Sequence, residues 1–167
     1  KPAYYVYEQR AKIPTATGGS RTVSRRCFFA RLRLHQPEEG ILRFHELTMA
    51  GPRAERLKLL EATETNISPI FSMFLDPTNV AKQLLAEVAK REPEFEGTDA
   101  IGDRHRLWVV TDTAEMKTLT DALDASNVTI ADGHHRTHTA LDYLAAAQAK
   151  KKGKWTGNEP ENFVLMG

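Results

Sequence analysis

The chain reads Ile130-Ala131-Asp132-Gly133-His134-His135-Arg136 at the point that decides its fold. The apolar residues up to Ala131 predict a short buried strand over 128–131. Helical spacing of alanine and leucine predicts a helix from about His134 to Lys150. A glycine between a strand and a helix permits a close turn, and the first N–H groups of such a helix are free to bind an anion. The segment therefore indicates an α/β fold with an anion site at the turn.

The donor side chains of this turn strengthen the anion interpretation. His134, His135 and Arg136 place cations or hydrogen-bond donors at the positive end of the helix dipole, where cations are otherwise disfavoured. A bound phosphate removes that penalty. The alternative is that these side chains are solvated or bonded to neighbouring loops.

A metal interpretation competes for the same segment. His134 and His138 are spaced i, i+4 on one helical face, and Asp132 is near them in sequence. Two imidazoles at this spacing can hold zinc. The glutamate usually found between them is missing and no third ligand is identifiable, so the prediction is an anion site without a protein-bound metal.

The rest of the chain predicts further strands and helices, which together with this segment form a mixed sheet with helices. The predicted strands of one mixed sheet are 41–44, 67–75 and 128–131. Helices are predicted from Arg53 after a break at Gly51-Pro52, over 80–91, and after a cap at Asp112 or Thr113. The ends of the strands should bring Glu46 and Gly133 into one cleft.

The N-terminal region has a different pattern. Two extended segments, 4–10 and 22–34, flank a turn at 17–20 and predict a β-hairpin. We therefore expect a hairpin region over 1–40 and an α/β domain over 41–167. The chain closes on an apolar, strand-like run at 162–166, which leads us to expect a fragment of a longer protein.

Composition narrows the function classes. The 167 residues carry 23 Lys+Arg and 22 Asp+Glu, a formal net charge of +1, so no dedicated nucleic-acid binding is expected. Apolar runs are too short for a membrane span. A single cysteine, Cys27, excludes an internal disulfide. We expect a cytoplasmic protein with no membrane partner.

Glu46 is the candidate general base. It follows His45 just after a short predicted strand, where a carboxylate beside an anion site can take a proton from an acceptor hydroxyl. The alternative is a solvated or capping glutamate. Arg56, in the predicted first helix, either reaches a phosphate or faces water.

The sequence resembles the family known as domain of unknown function 1015, DUF1015, over nearly its whole length. The resemblance rests on these segments: Tyr4-Tyr5-Val6-Tyr7, His45-Glu46-Leu47-Thr48, Ala54-Glu55-Arg56-Leu57, Asn66-Ile67-Ser68-Pro69-Ile70-Phe71, Arg104-His105-Arg106-Leu107-Trp108 and Ala131-Asp132-Gly133-His134-His135-Arg136. The chain departs from the family pattern at Thr137 and His138, where an aromatic and then an acidic residue are usual.

The same skeleton is similar to the ParB/sulfiredoxin-like superfamily and, within it, to free serine kinases. That resemblance implies a ParB/sulfiredoxin-like domain that binds ATP or ADP with Mg²⁺. It implies that Glu46 is the catalytic base and that Gly133, His134, His135 and Arg136 hold phosphate. Beside these residues, His45 is a further catalytic candidate, and Arg56 and Asp132 are further candidates for nucleotide binding.

The resulting hypothesis is a phosphotransferase that moves a phosphoryl group from ATP or ADP to a small hydroxylated acceptor such as serine. Two alternatives stay open: a non-catalytic, nucleotide-responsive binding module that closes a homodimer or partner interface, and a nuclease-like hydrolase. The distance from Glu46 to the 134–136 turn discriminates between the kinase and the binding module.

Overall fold

The computed structural model of the chain describes residues 2–46 and 48–167, without the side chains of residues 50 and 52. Leu47, part of one segment that carries the family resemblance, lies outside the described residues. In chain order the strands and helices are β1 (Tyr4–Pro14), β2 (Ser20–Arg33), β3 (Leu42–Arg43), α1 (Ala50–Thr63), β4 (Phe71–Phe74), α2 (Val80–Val88), β5 (Phe95–Thr98), β6 (Arg104–Val110), α3 (Thr113–Asp124), β7 (Val128–Asp132), α4 (His134–Lys150) and β8 (Phe163–Met166).

The chain groups into two compact units that interleave along the sequence. The first comprises Lys1–Ala30 and Asp76–Asp124, and the second comprises Arg31–Leu75 and Ala125–Gly167. The division into a hairpin region over 1–40 and an α/β domain over 41–167 stays a prediction. The interleaving follows from strand pairing, because β1 near the N-terminus pairs with β6 far along the chain.

The first unit is built on antiparallel strands in the order β5-β6-β1-β2. The predicted hairpin is present, and its strands are longer than predicted, with Tyr7 opposite Cys27. On the other edge of β1, Val6 lies opposite Trp108. The buried apolar side chains of this unit are Val6, Phe28, Ala81, Leu85, Val88, Ala89, Trp108, Val110 and Leu119.

A buried carboxylate lies within this sheet. Glu8 is 0% exposed, and three arginines contact it. Arg10 Nε donates to Oε1 at 2.8 Å, Arg26 Nε donates to Oε2 at 2.6 Å, and Arg106 Nε donates to Oε1 at 3.1 Å. A buried charge is tolerated only when it is paired and hydrogen-bonded, and these arginines supply both.

The second unit contains the predicted mixed sheet, in the order β3-β7-β4. β3 runs parallel to β7 and β4 runs antiparallel to it, which confirms that the three predicted strands share one sheet. β4 is shorter than predicted and begins at Phe71. Ile70 instead pairs with the β8 end, where its N–H donates to the Leu165 carbonyl at 3.0 Å and its carbonyl accepts from Gly167 N–H at 2.9 Å.

Most of the helices begin or end close to the predicted residues. α4 begins and ends at the predicted residues, and Ala140, Leu141 and Leu144 of its apolar stripe are buried. α1 begins at Ala50 rather than Arg53, because a proline in the first turn of a helix gives up an N–H that has no intrahelical partner. In α3, Asp112 is the cap, accepting from the N–H groups of residues 114 and 115.

The described residues therefore form a mixed α/β fold, which confirms the predicted fold class. Among them, no helix combines the length and the apolar character needed to cross a bilayer.

Candidate functional site

The turn between β7 and α4 requires glycine for two separate reasons. Gly133 has φ +101°, a left-handed conformation that side chains disfavour. A Cβ at this position would also lie 3.0 Å from Arg136 Nη2, because the guanidinium folds back over the Gly133 α-carbon. The sequence predicted a close turn at this glycine, and the structure adds the close approach of the Arg136 side chain.

Arg136 links the turn to the segment before β4 and to the end of β7. Its Nη1 donates to Ser68 Oγ at 2.9 Å and to the Pro69 carbonyl at 2.5 Å. Its Nη2 donates to Asp132 Oδ2 at 2.5 Å. The positive charge is therefore paired with a carboxylate four residues earlier, and three guanidinium contacts go to protein groups. Ser68 therefore has a structural role, as an acceptor that holds the Arg136 guanidinium.

His134 is the buried member of the site, with 2% of its surface exposed. The backbone N–H of His45 donates to His134 Nε2 at 3.4 Å, so Nε2 is the acceptor in this arrangement. Nδ1 lies 3.2 Å from Glu46 Oε2, but the geometry is not that of a hydrogen bond, so this buried atom has no hydrogen-bond partner among the described residues. Burial lowers the pKa of His134, which keeps its imidazole neutral at pH 7.

Glu46 and His45 approach this buried ring from the segment after β3. The Glu46 side chain is 61% exposed, so its carboxylate is accessible to a ligand. The His45 ring meets the His134 ring edge to face, with centroids 4.4 Å apart. Ligand atoms of His45, Glu46 and His134 all lie within 4.8 Å of one another. The predicted base and the predicted anion turn therefore form one cluster.

Phe44 was not predicted to belong to the site. Its ring lies against His138, with centroids 4.6 Å apart, and is 6.2 Å from the His134 ring. The sequence signal for Phe44 as a residue of the site was its position directly before the His45-Glu46 pair.

His138 Nδ1 contacts the His134 carbonyl at 2.9 Å and so serves as a donor within α4. His138 therefore braces the helix start, and the three-residue cluster around His134 forms without it.

The remaining predicted residues lie around this cluster. Arg56 is exposed on α1, and no ion pair joins it to the turn within the part of the chain that the structure describes. Arg53, on the same helix, instead holds Asp142 of α4 through Nε at 2.6 Å and Nη2 at 2.5 Å. His135 is half-buried, and its Nδ1 has no hydrogen-bond partner among the described residues.

A comparison with protein-family models identifies the group to which the chain is related. The model described as "Protein of unknown function (DUF1015)" matches residues 1–167. The chain belongs to the DUF1015 family. The match spans both segments of each compact unit, and so it includes every residue of the cluster in this DUF1015 chain. No curated protein and no solved structure gives a significant match.

Proposed function

We propose that this DUF1015 chain binds an adenine nucleotide and transfers a phosphoryl group to a small hydroxylated acceptor. One observation carries the proposal: the Glu46 carboxylate lies 3.2 Å from His134, in the first turn of α4. A candidate base thus stands beside a candidate phosphate site. The proposal also draws on the similarity to the ParB/sulfiredoxin-like superfamily and its free serine kinases, in which such a turn holds phosphate.

The start of α4 supplies the anion site in this proposal. α4 has 17 residues, and the N–H groups of its first turn have no partner within the helix. These N–H groups and the positive helix end attract phosphate. Because the Arg136 contacts go to Asp132, Ser68 and Pro69, we assign Arg136 the role of fixing the turn. Phosphate contacts then fall to the backbone of 133–136 and to the histidine side chains.

Glu46 supplies the base. Phosphoryl transfer depends mainly on positioning and charge stabilisation, and the acceptor hydroxyl must lose its proton as it attacks. The exposed Glu46 carboxylate can take that proton while the buried His134 beside it stays fixed by its surroundings. Mg²⁺ bound with the nucleotide would neutralise phosphate charge. Asp132, whose exposed carboxylate also accepts from Arg136, is the carboxylate of the site that fits this ion, since Mg²⁺ prefers oxygen ligands.

The test measures product formation and nucleotide binding separately. The protein is incubated with ATP or ADP, Mg²⁺ and a panel of amino acids and polyols, and phosphorylated product is followed by mass spectrometry. Glu46→Gln keeps the size of the side chain but removes its basicity. We expect transfer to fall by about 10²–10⁴-fold while nucleotide binding persists. The matched control is Glu55→Gln, an exposed glutamate on α1.

Each other outcome has a defined meaning. Nucleotide binding without product from any acceptor contradicts the transferase and favours the binding module. Release of inorganic phosphate without an acceptor product favours the hydrolase. An unchanged transfer rate in Glu46→Gln removes Glu46 from the base role.

A further inference from the structure

We propose that His45, Glu46 and His134 form a binding site for a divalent transition metal ion of the zinc class. This inference goes beyond the nucleotide-dependent function and does not rest on it. The donor set is two imidazoles and one carboxylate. Imidazole nitrogen suits zinc, cobalt and related ions, whereas Mg²⁺ and Ca²⁺ favour oxygen alone.

The spacing of the donors fits a single ion. Tetrahedral zinc with bonds of about 2.1 Å to nitrogen and oxygen separates its ligand atoms by roughly 3.4 Å. Glu46 Oε2 and His134 Nδ1 are 3.2 Å apart, and the ligand atoms of all three residues lie within 4.8 Å of one another. His45 and Glu46 are exposed, so small side-chain rotations can bring their atoms to the ion.

The buried nitrogen of His134 is the second, independent observation. Its side chain is 1% exposed, and its Nδ1 has no hydrogen-bond partner among the described residues. A buried polar atom without a partner is costly, and such atoms in native proteins call for an explanation. Here Nδ1 lies beside the Glu46 carboxylate. An ion between these two atoms would satisfy the imidazole and neutralise the carboxylate together.

Binding requires one rearrangement of a proton. With the ion on Nδ1, the ring proton of neutral His134 resides on Nε2. The 3.4 Å contact from the His45 backbone N–H to Nε2 then joins two donors and must open. That contact is already long for a hydrogen bond, so little is lost when it opens. No net proton is released by His134 in this step.

Three protein ligands leave one coordination position open. This arrangement is typical of catalytic rather than structural zinc sites, where a water or substrate oxygen takes the fourth position. Elsewhere in the described residues, His35 with Glu39 and His105 with Asp99 form pairs, and no third ligand completes either of them. These pairs provide controls for ordinary surface binding of metal.

The experiment titrates the whole chain with Zn²⁺ in the absence of nucleotide, by calorimetry, and repeats the titration with Co²⁺ to record its visible absorption. We expect one saturable site, with weak or no binding of Mg²⁺ at the same concentrations. His45→Ala and Glu46→Gln should each weaken Zn²⁺ binding by at least about tenfold, because each removes a direct ligand. His35→Ala should leave the affinity unchanged.

A folding control accompanies the variants. His134 is buried, so its replacement tests folding as well as binding. The test therefore uses variants of the exposed residues His45 and Glu46. A thermal melt of each variant checks that it is folded. Zn²⁺ should raise the melting temperature of the unaltered chain more than that of His45→Ala, since a ligand stabilises the state that binds it in proportion to its occupancy.

The proposal is overturned by either of two results: no saturable Zn²⁺ binding, or equal Zn²⁺ affinity in His45→Ala and the unaltered chain. The phosphotransfer assay uses chelator-treated protein with Mg²⁺ alone, while the metal titration contains no nucleotide. A negative result in the metal titration therefore does not bear on the phosphotransfer proposal, and a negative result in the phosphotransfer assay does not bear on the metal site.

Discussion

At the scale of single residues, Gly133 controls the geometry of the site. Gly133→Ala should destabilise the protein by about 1–3 kcal/mol from backbone strain alone. The new methyl group should add to this cost, since it would lie 3.0 Å from a guanidinium that Asp132, Ser68 and Pro69 hold in place. Urea unfolding measures the loss.

Two comparisons separate strain from crowding. Gly102→Ala also replaces a glycine with positive φ, +90°, but no atom lies within 4 Å of its new Cβ, so it shows strain alone. In an Arg136→Ala background the cost of Gly133→Ala should fall toward that of Gly102→Ala. An equal cost in both backgrounds contradicts the close approach of Arg136.

The sequence predicts part of this geometry and not the rest. The glycine, the helix start at His134 and the proximity of Glu46 follow from local spacing and from strand ends that meet at one edge. The partners of Arg136 do not follow, because Ser68 and Pro69 reach it through the antiparallel pairing of β4 with β7. A guanidinium can bind phosphate or protein with the same donors, and sequence alone does not distinguish these.

At the scale of elements, Glu8 links β1 to its neighbours β2 and β6. Burial alone would raise the pKa of Glu8, but it is outweighed by hydrogen bonds from Arg106 and Ser24 and by the charges of Arg26 and Arg10. Together these lower the pKa to about 2. The folded pKa is below the unfolded value of 4.5, so this stabilisation is complete above that pH and is lost as pH falls toward about 2.

Glu8→Gln should therefore destabilise the chain at pH 7 by about 3 kcal/mol, because three arginines lose a buried counter-charge. The difference from the unaltered chain should narrow as pH falls from 4.5 toward about 2, because Glu8 takes up a proton in the unfolded chain before it does so in the folded chain. Urea midpoints at several pH values check this. Glu38→Gln, at an exposed position, is the control. A difference that stays constant with pH contradicts the lowered pKa.

The strands around Glu8 were predicted, but its burial was not. A charged residue between Tyr7 and Gln9 fits a solvated strand face equally well. Its burial depends on register, which places Glu8 opposite Arg26 on one side and Arg106 on the other. Cross-strand neighbours become visible only when both pairings are known.

At the scale of the whole molecule, interleaving makes the first unit dependent on distant segments. A chain cut after Leu75 lacks β6, which pairs with β1 from Tyr4↔Val110 to Arg10↔Arg104. An isolated two-stranded hairpin is only marginally stable in water. Residues 1–75 alone should therefore lose hydrogen-exchange protection at the β1 amides, and co-expression with residues 76–167 should restore it. Slow exchange of β1 in the isolated fragment contradicts this.

The pairing of β1 with β6 also means that β1 stays incompletely paired during synthesis until β6 has been made. The hairpin is synthesised before β6, and about 90 residues separate Arg10 from its partner Arg104. At translation rates of about 5–20 residues per second, β1 waits roughly 5 to 20 s with one edge unpaired. Throughout that interval Glu8 has Arg10 and Arg26 nearby but not Arg106. An open strand edge is a template for aggregation. The nascent hairpin is therefore the intermediate in which binding of a chaperone to the free edge of β1 would best prevent aggregation.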